Sequence, residues 1–95
     1  MKEKGKKQIF ILFRCDEWKG TDSMRLCGAT TSPTRLKSMI VSEIKEGNMI
    51  YGSEEDSVST QIKNFKADFK KETRTIINGR LKYGYYNYVY DGEIE

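Results

Sequence analysis

The chain has 95 residues, with 17 Lys and Arg, 14 Asp and Glu, no His and two Cys, for a net charge of +3. A chain this short forms one domain with a small core, burying about 60–65 % of the surface it exposes when unfolded. An aromatic share of 12 % argues against a disordered chain, and the missing His excludes His-based triads and the usual catalytic zinc sites.

No apolar run approaches the roughly 20 residues of a membrane span, so no membrane contact is expected. The charged opening, MKEKGKKQ, precedes an apolar run too short for a signal peptide. Residues 1–7 read as a flexible basic lead into a single domain spanning 1–95. With Cys15 and Cys27 as free thiols, the expected location is a reducing host bacterial cytoplasm.

Ile9 to Phe13 is an unbroken β-branched and aromatic run, which predicts a central strand covered on both faces. Residues 16–23 interrupt it with turn formers, and Met24 to Thr31 resumes as a second strand. A hairpin is the cheapest connection. Met24 and Leu26 are expected on one face, Cys27 and Ala29 on the other.

Ser32-Pro33 predicts a helix start, with Ser32 as N-cap and Pro33 at the first helical position. Leu36, Ile40 and Ile44 give that helix one apolar face, and Gly47 ends it in a left-handed conformation. Met49 to Tyr51 reads as a short strand. Ser53, with Glu54, Glu55 and Asp56 behind it, predicts the start of a second helix over 54–72. Val58, Ile62, Phe65 and Phe69 supply its apolar face, and Lys63, Lys66, Lys70 and Lys71 its outer face.

Asn78-Gly79 between two β-like stretches predicts a type I′ hairpin. The last stretch is a tyrosine strand, with Tyr83 and Tyr85 on one face and Tyr86, Tyr88 and Tyr90 on the other. Asp91-Gly92 ends it. The predicted order is β-β-α-(β)-α-β-β. The fold class is α+β, a small antiparallel sheet with two helices packed on one face.

Chemistry concentrates in the loop after the first strand. Arg14, Asp16, Glu17, Trp18, Lys19, Asp22, Ser23 and Arg25 lie within twelve positions, and Trp18 is the only Trp. An indole stacks on a base, and Arg, Lys and Ser hold phosphate or carboxylate oxygens. The bland alternative folds Trp18 onto the core edge and leaves the charges solvated.

The run Phe13-x-x-Asp16-x-Trp18-x-x-x-x-Ser23-Met24-Arg25-Leu26 resembles the opening of a family of short, mostly uncharacterised proteins. They come from bacteriophages, prophages and mobile elements of gut bacteria. Their opening strand, Asp-x-Trp loop, Ser, second strand and Thr/Ser-led helix correspond to the first third of this chain, where Thr30-Thr31-Ser32 leads the helix. The family often carries His and Ser after the Trp, where Lys19 and Gly20 stand here. The resemblance implies a phage or mobile-element origin and no particular reaction.

The tyrosine strand is a second candidate surface, either for a ligand or for a partner subunit. The lysine face of the second helix, with Arg74, Arg80 and Lys82, is a third, suited to nucleic acid. Glu54, Glu55 and Asp56 suit a helix start better than a general acid–base pair, and with no phosphate loop or nucleophile elbow an enzyme is not expected.

The leading expectation is therefore a non-enzymatic, phage-encoded protein that counters host immunity without cofactor or metal. It is expected to be a homo-oligomer, dimer or higher, that sequesters a nucleotide-type signal. Arg14, Asp16, Trp18, Lys19, Ser23 and Arg25 would bind that ligand with Tyr86, Tyr88 and Tyr90. One alternative is an anti-CRISPR-like or other stoichiometric inhibitor of a host defence effector or nuclease. Another is a small basic nucleic-acid-binding protein.

Overall fold

A computed structural model describes residues 8–16, 18–71 and 73–90, with the side chains of 88–90 outside the description. The basic residues 1–7, Glu17 of the loop and the Asp91-Gly92 strand end therefore fall outside it. The elements are β1 (Gln8–Arg14), a 3-10 turn (Thr21–Ser23), β2 (Arg25–Thr30), α1 (Pro33–Lys45), β3 (Ile50–Tyr51), α2 (Val58–Lys70), α3 (Arg74–Arg80), β4 (Leu81–Lys82) and β5 (Gly84–Tyr90). The fold is α+β, as the sequence predicts.

The three-stranded sheet has the order β2-β1-β5 with antiparallel pairs, and β3 pairs with β4 in a separate two-stranded sheet. β1 is central. Its Phe10 and Leu12 align with Tyr88 and Tyr86 of β5 and point toward the helices. They join Leu36, Ile40 and Ile44 of α1, Phe65 of α2, Ile77 of α3, Met49, Tyr51, Leu81 and Tyr86 in one core. Burying nine of these side chains to below 2 % exposure supplies most of the drive to fold.

The other face of β1 carries Ile9, Ile11 and Phe13, none of which packs into that core. The expectation of cover on both faces is therefore corrected, because the core into which the helices pack takes only the Phe10–Leu12 side. Phe13 aligns with Leu26 on β2 and Tyr85 on β5, giving an apolar row across all three strands. Leu26 is 67 % exposed.

A bulge between Leu12 and Phe13 sets the β2 register. It sends Cys27 to the core side with Gly28, whose Cβ would meet Met39, and leaves Ala29 on the open side. Cys27 and Ala29 consequently do not share a face, contrary to what alternation alone predicts.

α1 starts as predicted, with the Ser32 hydroxyl accepting from the Arg35 amide and Pro33 at the first helical position. Gly47 follows at φ 82°. α2 starts later than predicted. Ser57, not Ser53, is its N-cap, accepting from the Thr60 amide. Buried Gln61 explains the delay: its Oε1 accepts from the Tyr51 amide and its Nε2 donates to the Asp56 carbonyl. That clamp holds 52–56 as a loop, within which Ser53 caps its own turn.

The Asn78-Gly79 hairpin is corrected to a helix, α3, which makes a third helix where two were expected. The Asn78 side chain is used twice against β5: Nδ2 donates to the Tyr86 carbonyl and Oδ1 accepts from the Tyr86 amide. With Ile77 fully buried, this tertiary pairing outweighs the local turn preference of Asn-Gly.

Candidate functional site

The loop between β1 and β2 is held from within. Asp16 Oδ1 accepts from the Trp18 and Gly20 amides at 3.1 and 3.0 Å, a side-chain turn of the kind Asp forms readily. The Ser23 hydroxyl accepts from the Asp16 amide at 3.0 Å and donates to the Gly20 carbonyl at 2.7 Å. Asp16 and Ser23 thus close the loop on itself.

Lys19 fastens the loop to the rest of the fold. Its ammonium donates to the carbonyls of Leu81 and Gly84 at 2.5 and 2.6 Å, spanning the junction of β4 and β5. Partial burial pushes its pKa below the ordinary lysine value, against a smaller upward pull from Cys15. The Cys15 amide adds a bond to the Tyr83 carbonyl at 3.0 Å.

Lys19 and Tyr83 are the two non-glycine residues with positive φ among the described residues, at 56° and 67°. Each such conformation costs about 1–2 kcal/mol relative to ordinary backbone. Both lie on the two sides of this one junction. Strain of this kind persists only where surrounding contacts over-determine it, and it gathers at binding sites.

What the pinned loop presents is Trp18, which is 80 % exposed. The folded-back alternative for this indole is not what the structure adopts. Asp16, Lys19 and Ser23, expected to meet a ligand, make the hydrogen bonds that hold the loop. Their hydrogen bonds fix the backbone on either side of the indole.

Arg14 and Arg25 face each other in register at the ends of β1 and β2. Arg14 is tied to Glu43 Oε1 through Nε at 3.0 Å and a terminal nitrogen at 2.9 Å. Asn48 Nδ2 donates to the same oxygen at 3.0 Å. Arg25 donates only to the carbonyls of Asp22 and Met24 and keeps its charge uncompensated by any described carboxylate. Together with Cys15, Ser23, Gly47, Asn48 and Tyr83, the two arginines line an open depression of about 400 Å³. The sequence does not mark Asn48 for this site and places Tyr83 on the tyrosine strand, because nothing local ties a residue after a helix cap or before a strand to the β1–β2 loop.

Burial raises the Cys15 thiol, with Asp16 adding to the rise and Lys19 opposing it, so Cys15 is a protonated neighbour of this depression.

The tyrosine strand lies elsewhere. Tyr86 is 4 % exposed and belongs to the core, so it does not stand in the open beside Trp18. The reason is register: Tyr86 aligns with Leu12, whose side of β1 faces the helices. The side chains of Tyr88 and Tyr90 lie outside the described residues. Tyr85 is the described tyrosine of β5 that shares the open face.

The basic helix surface is broader than the sequence suggests. Lys66 of α2 meets Lys37 and Lys45 of α1, with Ser38 and Ser42, around a depression of about 290 Å³. Arg80 is engaged with Asp68 at 3.6 Å.

No helix among the described residues is long and apolar enough to cross a membrane. The chain matches no protein-family model, no curated protein and no solved structure.

Proposed function

We propose that the chain is a non-enzymatic binding protein that occupies a protein target, with Trp18 as its anchor and the open sheet face as supporting contact. The observation that carries this reading is the exposure of Trp18 on a loop held by the side chains of Asp16, Lys19 and Ser23. An indole kept in water by a pre-ordered loop loses little entropy on binding, and Trp is the residue most enriched among interface anchors. The row of Leu26, Phe13 and Tyr85 supplies apolar and aromatic area without charge. The resemblance of the Asp-x-Trp loop to phage and mobile-element proteins supports a host defence effector or nuclease as the target class. The protein then works by stoichiometric occupancy.

The test is affinity purification from a bacterial lysate with the wild-type chain and Trp18→Ala, followed by titration calorimetry against the purified prey. An anchor of this kind is worth about 2 kcal/mol or more, roughly 30-fold in affinity. Equal affinity of the two folded chains for the prey removes Trp18 from the interface.

A nucleotide-type ligand is the second reading, favoured by the depression between Arg14 and Arg25. Its volume falls within the range of small-molecule sites. It predicts a nucleotide-sized mass on the native protein that disappears on denaturation, and Arg25→Ala abolishes it.

A further inference from the structure

The end of β1 remote from the Trp18 loop borders a second cavity, about 20 Å from Arg14 along the strand. Its volume is about 320 Å³. The floor is made of rings. Phe10 and Tyr86 are core residues, and the half-buried Phe69 lies with its ring centre 6.4 Å from that of Tyr86. Pro33, at the start of α1, and Gln8 complete the wall. The rim carries Lys70, the last residue of α2, and Arg74, the first of α3. Among the described residues, no acidic side chain lines the cavity and Lys70 has no ion-pair partner.

An apolar, ring-floored cavity with a few convergent polar groups is the usual form of a small-molecule site. Cations on one side of such a floor select ligands with an anionic end, because a charge-assisted hydrogen bond at the mouth is the contact a neutral ligand lacks. We propose that this cleft binds a small amphipathic anion. A flat aromatic body lies against Phe10, Phe69 and Tyr86, and a carboxylate or phosphate meets Lys70 and Arg74. The site is independent of Trp18 and of any protein target, so either proposal stands or falls alone. A ligand of this size in a cleft open on one side binds with a Kd of about 0.1–1 mM.

The test is a two-dimensional amide NMR titration of the full chain with three probes of one ring size: 1-naphthylacetate, 1-naphthyl phosphate and the neutral 2-(1-naphthyl)ethanol. The expected result is saturable shifts at the amides of Phe10, Phe69, Lys70 and Tyr86. Both anions bind about fivefold tighter than the alcohol, and the tighter of the two identifies the headgroup class. Lys70→Glu weakens the anions about tenfold and leaves the alcohol unchanged. If Lys70→Glu alters the amide spectrum globally, Lys70→Gln replaces it, with a loss of about threefold. Absence of saturable shifts at these amides overturns the proposal. So does an alcohol that binds as well as the anions with no response to the Lys70 variants.

Discussion

The Lys19 ammonium lies 2.6 Å from the Gly84 carbonyl oxygen, joining a loop near the start of the chain to the first residue of its last strand. Through this bond and its companion to Leu81, the side chain next to Trp18 becomes a structural tie. Lys19→Met keeps the stem and removes both bonds. Charge-assisted hydrogen bonds of this kind are worth about 1.5–3 kcal/mol, less where water reaches them. Chemical denaturation should show a loss of about 1–2 kcal/mol, and hydrogen exchange at the Trp18 and Gly20 amides should accelerate. Unchanged exchange there would mean that Asp16 and Ser23 hold the loop without Lys19.

Trp18 should be dispensable for folding. At 80 % exposure, its removal changes stability by no more than about 0.5 kcal/mol. A core Trp costs about 3–5 kcal/mol on truncation to Ala, enough to unfold a domain of this size. Denaturant midpoints of wild type and Trp18→Ala distinguish the two. As the single Trp of the chain, it also reports directly: acrylamide should quench its fluorescence as efficiently as that of a free indole.

Alkaline pH should destabilise the fold in two stages. Burial raises the Cys15 and Cys27 thiols above their ordinary 9.0. Burial, together with the hydrogen bond donated to Asp68 Oδ2 at 2.7 Å, raises the Tyr51 phenol far above 10.0. Each of these groups is held protonated in the folded chain and deprotonates first in the unfolded one. Their contribution is full below pH 9 and is lost as pH rises through the thiol and then the phenol range. The lowered Lys19 acts in the opposite sense, since the unfolded chain binds its proton more tightly below pH 10.5. Three groups against one give a net fall. Denaturation at stepped pH should show stability declining from about pH 9 and more steeply past 10, with Tyr51→Phe flattening the second stage. A flat profile to pH 11 would contradict the assignment.

Asn78 should matter more than its place in an Asn-Gly pair suggests. Asn78→Ala strips both hydrogen bonds to Tyr86 and leaves a strand amide and carbonyl half-buried. The expected loss is about 2–3 kcal/mol. A hairpin turn at this position would instead tolerate the change at under about 1 kcal/mol. Gly79→Ala separates the cases further. No atom lies within 4 Å of the added Cβ, so a helical Gly79 gains from Ala, whereas a type I′ turn is disrupted by it.

The parts of the fold legible in the sequence are those whose signals are local. Ser32-Pro33 and Gly47 delimit α1 because capping chemistry needs only neighbouring atoms. The run Ile9–Phe13 gives a central strand for the same reason. What stayed hidden depends on partners far along the chain. Asn78 becomes helical because of Tyr86, and α2 starts late because Gln61 bridges Tyr51 and Asp56. Alternation separates Tyr85 from Tyr86, but only the pairing of Tyr86 with Leu12 decides which of the two turns inward. The loop stands out by its composition, but its internal hydrogen bonds are not written there. Lys19, Asp16 and Ser23 have ligand-like chemistry, and a residue type alone does not tell whether that chemistry is spent on a ligand or on the chain's own carbonyls and amides.

The central claim, that the pinned loop exists to present Trp18 to a protein, is tested most directly by native mass spectrometry. Wild type and Trp18→Ala are purified side by side from the same bacterial lysate. The account predicts a protein-sized added mass in fixed stoichiometry on the wild type, absent from a folded Trp18→Ala. The same added protein mass on both chains, or a nucleotide-sized mass in its place, would contradict it.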